Sequence, residues 1–535
     1  MSTLSLPLAG TAALTRLSLR RDRLVLPVWV LVVGALAAGG TSSLDALYPT
    51  PAQRAEAAAT MTANSSMRSL YGPVFGDSAG ALAAWRYGTL MAVLAAVMSL
   101  IVVVRHTREE EETGRQEMLS AAVVGRRAPL TAALLTALVA NAGIALVVLA
   151  GLAGRGAEGA LALGLAVGGT GMVFATTAAI AAQLSESARL AKGMTAAVLG
   201  LAFVLRAAGD AGPAGDAPGG TGAAGSSVLT WLSPLGWAEN VRAFAGERWW
   251  VVALMTVVAG VQAAVAYALA GRRDVAMSFL PARPGPAEGR LATAGALALR
   301  LQRGALLGWA LGFLVAGLAF GGMAEGAADL VGDNERTREI VERMGGRTGL
   351  TDAFLATMVG MFGMVAGLYV VGSVLRLHGE ETSQRAEPVL ANAVGRLRWA
   401  AGHLVVAFGG AVVIMVAAAA GLSLSYGQDP GPILGAALGR LPAVWVLGGL
   451  AVLLHGAAPK AAPAAWGVAG SALALGWIGP ALDLPRAVLN LSPFGHLPNL
   501  PGAEMVWAPA LLLTSLAVAL VAAGLAALRR RDMTA

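Results

Sequence analysis

Two acidic segments of matching sequence carry closely spaced charged side chains that could bind a partner protein. The first is Glu110-Glu111-Glu112-Thr113-Gly114-Arg115-Gln116-Glu117, and the second, 270 residues later, is Glu380-Glu381-Thr382-Ser383-Gln384-Arg385-Ala386-Glu387. The register continues to Val124-Gly125-Arg126 and Val394-Gly395-Arg396. Carboxylates at this density offer charge complementarity to a basic groove on another protein.

Docking at these segments needs apolar contacts as well as charge. One exposed ion pair stabilises a contact by only ~0.2–1 kcal/mol, so we expect packing by the neighbouring apolar residues Met118, Leu119, Val389 and Leu390. A solvated loop whose charges only set the membrane topology is the alternative. The recurrence of the segment at matching positions favours docking.

The local geometry of the two segments follows from their spacing. Glu111 and Arg115 lie four residues apart with the glutamate first, as do Glu381 and Arg385, and this order favours a helix. Gln384 replaces Gly114, so we expect a better-supported helix in the second copy. Pro388 replaces Met118 and predicts that the second helix ends or turns by Glu387.

Catalytic, cofactor-binding and metal-binding patterns are missing from the sequence. There is no cysteine, and none of the five histidines pairs with another at a spacing of four. The only lysines, Lys192 and Lys460, do not follow the glycine pattern of a phosphate-binding loop. We predict no catalytic activity in this chain, and any ATP and Mg must bind to partner subunits. His403 and His455 are interpreted as hydrogen-bonded helix contacts, with a proton relay as the alternative.

The elements that position the acidic segments are apolar runs long enough to cross a membrane. The chain has 535 residues, 56% hydrophobic and 13% charged, and uncharged runs of about 18 residues or more indicate membrane spans. They are 24–44, 88–104, 129–154, 159–185, 249–271, 304–324, 353–375, 399–428, 441–459, 461–482 and 505–528. A twelfth, 193–205, spans only if Lys192 and Arg206 extend toward the two surfaces. The fold class is therefore an all-α membrane protein with twelve transmembrane helices.

The placement of positive charge predicts the orientation. With the N-terminus inside, 25 of the 38 lysines and arginines fall on the inner side, as cytoplasmic loops require. We expect a multi-pass protein of a bacterial plasma membrane with both termini cytoplasmic. The net charge of +7 is explained by basic inner loops beside anionic lipid, so no nucleic-acid partner is predicted.

Internal self-similarity divides the chain into two halves. Leu17 to Arg23 matches Leu297 to Arg303, and Leu232-Ser233-Pro234 matches Leu491-Ser492-Pro493. Together with the acidic segments, these matches predict two pseudo-symmetric, parallel six-helix halves. The domains are 1–270, a proline-containing cytoplasmic linker at 271–296, and 297–535.

Segments outside the spans have simpler interpretations. Residues 8–23 and 288–303 are predicted to form interfacial helices, with a disordered basic tail as the alternative. The range 333–343 has the spacing of a short surface helix, and 210–227 is predicted to be a disordered linker. The Ser-Pro elements at Ser233 and Ser492 predict either a plain turn or an outer gate.

A substrate cavity is predicted to be apolar. The spans contain almost no acids, whereas a proton-coupled carrier normally has an ionisable residue in its bundle. A lipophilic small molecule fits an apolar cavity with adaptable contacts. Candidate cavity residues, with packing or lipid-facing roles as the alternative, are Trp29, Met91, Met98, Trp309, Met358, Met361, Phe362 and Met364.

Two six-helix units, each with an acidic loop between spans two and three, resemble ABC-2-type ATP-binding-cassette permeases. The run from Glu110 to Leu119, followed by Gly125-Arg126-Arg127, is similar to the family's inner loop. The chain resembles the fused twelve-helix actinobacterial permeases that export polyketide antibiotics and other drugs. The resemblance implies that the loop is a cytoplasmic coupling helix that inserts into an ATPase subunit. The residues that this role would cover are Glu109, Glu110, Glu111, Glu112, Arg115, Glu117, Glu380, Glu381, Arg385 and Glu387.

The predicted function is the membrane subunit of an exporter of hydrophobic or amphipathic small molecules. Two docking segments imply two copies of an ATPase subunit, with the lipid bilayer as the surrounding medium. The alternatives are a proton-coupled secondary multidrug carrier and a non-transporting membrane anchor or regulator. The acidic loop disfavours the major facilitator type of carrier, whose corresponding loop is basic and glycine-rich.

Overall fold

The computed structural model describes residues 6–63, 65–120, 124–211, 227–274, 277–280, 293–322, 324, 346–477 and 485–532. Within these ranges the protein is all-helical. The chain folds as two compact units, Met1–Pro284 (unit 1) and Gly285–Ala535 (unit 2). The predicted domain boundaries stay a prediction, since much of the 271–296 linker lies outside the described residues. The same holds for the predicted helix at 333–343 and for most of 210–227.

Unit 1 contains thirteen described α-helices. They are α1 Thr11–Arg21, α2 Val25–Leu47, α3 Pro51–Ala63, α4 Ser65–Tyr71, α5 Ala79–Arg105, α6 Arg108–Glu112, α7 Arg115–Ser120, α8 Ala128–Leu152, α9 Ala157–Leu184, α10 Ala188–Asp210, α11 Val228–Trp231, α12 Pro234–Asn240 and α13 Trp249–Arg272. Its core lies where α2, α5, α8 and α9 pack together.

Unit 2 contains nine described α-helices. They are α14 Ala294–Gly321, α15 Gly346–Thr382, α16 Glu387–Leu390, α17 Arg396–Tyr426, α18 Pro430–Gly439, α19 Leu441–Ala457, α20 Ala464–Trp477, α21 Arg486–Leu489 and α22 Trp507–Arg530. Its core is built from α14, α15, α17, α19 and α22.

Ten candidate membrane spans are present in the described part of the chain, or eleven if the bent pair α1–α2 forms one. The weakest predicted span, 193–205, lies inside the 23-residue helix α10, which meets the length and hydropathy of a span. The predicted span 461–482 corresponds to α20, which is described only as far as Trp477 and is 14 residues long. The twelve-span arrangement therefore stays a prediction.

The segment before the first span differs between the two units. In unit 1 the chain bends by 67° between α1 and α2. Asp22, at the bend, is buried and pairs with Arg105 at 2.7 Å and His106 at 2.6 Å. The expected interfacial helix at 288–303 is wrong as a separate element, because α14 runs unbroken from Ala294 to Gly321. Gln302, which corresponds to Asp22, lies within that helix and hydrogen-bonds to His403 at 3.1 Å.

Small residues let the helices approach closely, as is common between membrane helices. A Cβ atom at Gly171 of α9 would lie 1.9 Å from the side-chain oxygen of Asn141 in α8. A Cβ at Gly421 of α17 would lie 2.2 Å from the carbonyl oxygen of Leu314 in α14. Glycine at these two positions therefore allows α8 to pack closely against α9, and α14 against α17.

Candidate functional site

The first acidic segment continues directly from the end of span helix α5. The four consecutive glutamates Glu109 to Glu112 lie on one helical turn of α6. Successive residues of a helix point about 100° apart around its axis, so the four carboxylates face different neighbours. The glutamate run is therefore placed to connect several helices at once.

Each of these four carboxylates binds a different part of unit 1. Glu109 forms an ion pair with Lys192 of α10. Glu110 pairs with Arg21 of α1 at 2.6 Å. Glu111 pairs with Arg273, which follows α13, at 2.5 Å, and Glu112 accepts a hydrogen bond from the backbone N–H of Ala188 at 2.8 Å. The last contact places a carboxylate at the N-terminus of α10, where it is favoured by the helix dipole.

The second acidic segment makes a smaller set of contacts. Glu381 binds Arg531, which follows α22, with both oxygens at 2.6 Å, and lies 3.6 Å from His455. Glu380 pairs with Arg376 one helical turn earlier at 2.8 Å. Both glutamates are buried. The carboxylates that sequence analysis assigned to a partner are thus used within the unit at Glu110, Glu111, Glu380 and Glu381.

The prediction that Glu111 and Arg115, and likewise Glu381 and Arg385, lie on one helix is wrong in both copies. Gly114 has φ 71° and separates α6 from α7, so Glu111 faces Arg273 and Arg115 lies 3.6 Å from Glu110 instead. Gln384 has φ 58°, so the second copy turns at the same position. The expectation of a better-supported helix at Gln384 is wrong for that reason.

The prediction from Pro388 that the second helix ends or turns by Glu387 is confirmed, because α15 ends at Thr382. A new helix, α16, begins at Glu387 with the proline in its first turn. Proline is tolerated there because the first backbone N–H groups of a helix have no partner within it. Each acidic segment is therefore a turn at Gly114 or Gln384 followed by a short helix.

Several charged side chains of the segments stay exposed. Glu112, Arg115, Glu117, Arg385 and Glu387 are all exposed. Met118 is 70% exposed, whereas Val389 and Leu390 pack against the core of unit 2. The side chain of Leu119 lies outside the described part. Beside the second copy an open groove is lined by Ala386, Glu387, Leu390, Ala391, Val394 and Arg396.

The candidate cavity residues lie in different surroundings. Met91 and Met98 are fully buried in the core of unit 1, with Trp29 packed against it. In unit 2, Phe362 and Met364 are buried, while Trp309, Met358 and Met361 are half-buried. Trp309 lies 6.0 Å from Tyr369 and Phe362 lies 5.3 Å from Phe313, measured between ring centroids. Contact of these residues with a substrate stays a prediction.

A buried charged cluster in unit 1 was not predicted. The sequence predicts that Arg206 extends to a membrane surface, but its side chain is fully buried. Arg206 donates to Glu239 at 2.8 Å and lies 3.6 Å from Asp210. Thr89 donates to the same oxygen of Glu239 at 2.8 Å. The four-residue spacing of Arg206 and Asp210 on a helix was the available sequence signal.

This cluster lines a pocket with aromatic walls. Its residues include Tyr71, Phe75, Trp85, Glu239 and Arg242. Burial raises the pKa of Glu239 to about 8, with the positive charge of Arg206 opposing that shift. Arg242 lies over the Phe75 ring, 4.5 Å from its centroid. A carboxyl group that gains a proton near neutral pH therefore faces this pocket.

The two Ser-Pro elements make corresponding contacts. Ser233 donates to the carbonyl of Ala202 at 2.7 Å, and Pro234 begins α12. Ser492 donates to the carbonyl of Ala472 at 3.2 Å, and Pro493 begins a short 3₁₀ helix that ends at His496. Each serine therefore anchors a short helix against a preceding apolar helix.

Comparison with known proteins gives two matches. A family model described as "Multidrug efflux system permease Rv1217c, C-terminal domain" matches residues 291–529. The chain is 43% identical, over 536 residues, to the "Multidrug efflux system permease protein Rv1217c" of Mycobacterium tuberculosis. The similarity covers 98% of this chain and 95% of that relative.

Proposed function

Because this chain belongs to the family of the multidrug efflux system permease Rv1217c, we propose that it is the transmembrane permease of a drug exporter. It moves hydrophobic or amphipathic small molecules, including antibiotic-like compounds, out of the cell. The observation that carries this proposal is the nearly full-length similarity to a relative named for multidrug efflux. The ten apolar helices of span length in the described part of the chain support a multi-pass membrane protein.

We propose that the energy comes from ATP bound, with Mg, to separate subunits of the ABC-2 type. The sequence lacks a phosphate-binding loop, so an ATPase must associate with it. Two copies are expected, one for each acidic segment. The chain itself is then a non-catalytic component of the transporter.

We propose twelve spans in two parallel six-helix halves, with both termini cytoplasmic in a bacterial plasma membrane. Matching features at corresponding positions support this arrangement. They are the left-handed residues Gly114 and Gln384, the serine anchors Ser233 and Ser492, and the placement of Arg273 and Arg531 after α13 and α22.

The proposed docking surface consists of the side chains that the internal ion pairs leave exposed. In unit 1 these are Glu112, Glu117 and Met118. In unit 2 they are Arg385 and Glu387, beside the groove that Leu390 lines. The exposed charges orient a partner, and the apolar side chains supply the packing that weak exposed ion pairs lack.

The internal ion pairs connect the docking surface to span helices. Displacement of α6 by a partner would move the end of α13 through Glu111 and Arg273. Displacement of the second segment would move the end of α22 through Glu381 and Arg531. Closure of two ATP-bound subunits would rock the halves from inward-open to outward-open, and hydrolysis would reset them.

Reconstitution tests this proposal. Vesicles containing the chain and its cognate ATPase should accumulate a fluorescent lipophilic drug in an ATP-dependent manner, and vesicles containing either protein alone should not. Transport by the purified chain without an ATPase would contradict the ATP-driven mechanism. No transport of any of several lipophilic probes by the complete complex would favour a non-transporting anchor.

A proton-coupled carrier is the second candidate, and the buried Glu239–Arg206–Asp210 cluster favours it because ionisable residues in membrane bundles are often functional. Dissipating the proton gradient at constant ATP distinguishes the two. Export continues if ATP hydrolysis drives it, and stops if protons do.

A further inference from the structure

An open groove on unit 1 lies between the N-terminal segment and span helix α8. Ala12, Thr15 and Leu19 line it from α1, and Leu135 lines it from α8. Three arginines, Arg16, Arg20 and Arg23, line the same groove. The groove thus combines an apolar wall with a cluster of positive charge.

These three arginines are exposed, and none forms an ion pair with another residue in the described part of the chain. Their neighbours behave differently, since Arg21 pairs with Glu110 and Arg105 pairs with Asp22. The unpaired arginines therefore leave a local excess of positive charge that an anion would neutralise.

The bend of 67° between α1 and α2 determines the depth at which the groove lies in the bilayer. If α2 crosses the bilayer, α1 lies far from the membrane normal, at the depth of the headgroups. From the groove, α8 continues with exposed Leu135, Leu138, Val139 and Leu146. Leu135, Leu138 and Val139 are three and four residues apart and share one face, which offers an apolar surface to an acyl chain.

We propose that this groove binds an anionic phospholipid of the surrounding membrane. Arg16, Arg20 and Arg23 hold the phosphate and the charged headgroup, and an acyl chain lies along Leu19 and the exposed face of α8. Charge selects the lipid, because a zwitterionic headgroup carries a choline or amine cation that these arginines repel.

A comparable groove in unit 2 supports the assignment. It lies between α14 and α17 and is lined by Leu299, Leu306, Val405, Gly409 and Val413. Arg398 stands at one end, exposed and without an ion pair among the described residues. From Arg398 to Val413 the helix rises ~22 Å, close to half of a bilayer that measures about 40–45 Å with its headgroups. One lipid fits that length, with its phosphate at Arg398.

Native mass spectrometry of the full chain in detergent tests the site in unit 1. The protein is titrated with phosphatidylglycerol and, separately, with phosphatidylcholine. Wild type should bind phosphatidylglycerol more tightly. About five-fold weaker affinity is expected for each arginine removed, and about a hundred-fold for Arg16→Gln/Arg20→Gln/Arg23→Gln.

Two further variants separate a specific site from general electrostatic attraction. Arg127→Gln/Arg272→Gln/Arg303→Gln removes the same charge from exposed residues outside the groove and should keep phosphatidylglycerol affinity within about two-fold. Ala12→Trp fills the groove while all three arginines are retained, and it should weaken phosphatidylglycerol binding at least ten-fold. This variant also tests the proposal if Arg16→Gln/Arg20→Gln/Arg23→Gln does not fold. Unchanged affinity in the groove variants, an equal loss in the control, or equal affinity for the two lipids would overturn the proposal.

Discussion

Glu111 and Arg273 form a two-bond ion pair, with 2.5 Å between Oε1 and Nη2 and 2.9 Å between Oε2 and Nη1. Glu381 and Arg531 repeat it, with both bonds at 2.6 Å. In each case the glutamate lies in an acidic segment and the arginine directly follows the last helix of its unit. Parallel bonds of this type fix geometry as well as charge, so each pair joins an acidic segment to the end of a span.

Breaking the pair in unit 1 should destabilise the protein. The side chains of Glu111 and Arg273 are 12% and 8% exposed, so Arg273→Gln leaves a nearly buried carboxylate with fewer partners. We expect a loss of about 3 kcal/mol in the free energy of unfolding, measured by thermal unfolding in detergent.

Arg273→Lys is the matched test of pairing, because lysine keeps the positive charge beside Glu111 but cannot form two parallel bonds. It should recover at least half of that stability and of ATP-dependent transport, while Arg272→Gln, at an exposed neighbour, should change neither. Equal loss in Arg273→Gln and Arg273→Lys would show that the positive charge at this position does not stabilise the fold.

Two truncations isolate the pair in unit 2. A chain that ends at Asp532 keeps Arg531, and a chain that ends at Arg530 loses it together with its hydrogen bonds to Glu381. We expect unchanged melting for the first and a Tm several degrees lower for the second, because Glu381 is buried and loses its main partner. Identical melting curves would contradict a stabilising role for Arg531.

Reversing exposed charges of the proposed docking surface that make no internal ion pair among the described residues should weaken ATPase binding without affecting folding. The variant is Glu117→Lys/Arg385→Glu/Glu387→Lys, which leaves Glu112 bonded to Ala188. Exposed ion pairs contribute ~0.2–1 kcal/mol each, so three reversals should lower the affinity of the ATPase for detergent-solubilised chain by about ten-fold. Glu158→Lys, at an exposed residue in the first turn of α9, is the control. Unaltered affinity in the triple variant would remove these residues from the interface.

The stability of unit 1 should depend on pH through Glu239. Its pKa is about 8 in the folded protein, raised from 4.5, so the folded state holds a proton that the unfolded state releases. Stability from this group is fully present below about pH 4.5 and is lost as the pH rises toward 8. Glu239→Gln should flatten the fall of Tm over this window.

Groups that face Glu239 belong to the same measurement. Arg206 and Asp210 lie in the same cluster, and Thr89, which does not titrate, donates a hydrogen bond to Glu239. Glu158→Gln, an exposed control, should reproduce the wild-type profile. A wild-type profile retained in Glu239→Gln would assign the pH dependence to another group.

The turns at positions 114 and 384 give a matched pair of backbone variants. Both residues have positive φ, 71° and 58°, a region that costs a residue with a Cβ about 1–2 kcal/mol. No atom lies within 4 Å of a Cβ built on Gly114, so Gly114→Ala should destabilise by about 1 kcal/mol through the backbone alone. Gln384→Gly should stabilise by a similar amount, with melting in detergent as the measurement. A change in stability of the same sign for Gly114→Ala and Gln384→Gly would contradict this account.

Ten of the twelve predicted spans coincide with candidate spans in the described part of the chain, because the length of an apolar run is a local property of the sequence. Even the short run 193–205 lies inside a helix of span length, α10. The correspondence of the two acidic segments was also visible in sequence, and the matching turns at Gly114 and Gln384 agree with it. Both are properties of neighbouring residues along the chain.

The partners of the charges were decided only by tertiary structure. Glu111 has Arg115 four residues away, yet the turn at Gly114 removes that pairing and Arg273, 162 residues later, takes it. Arg206 looked like a residue at a membrane surface, and it is buried because Glu239 and the backbone carbonyls of Ser69 and Leu70 accept its hydrogen bonds. A charge pairs with whatever folding brings within about 4 Å. Local spacing shows which pairs can form, and the packing of helices distant in sequence selects among them.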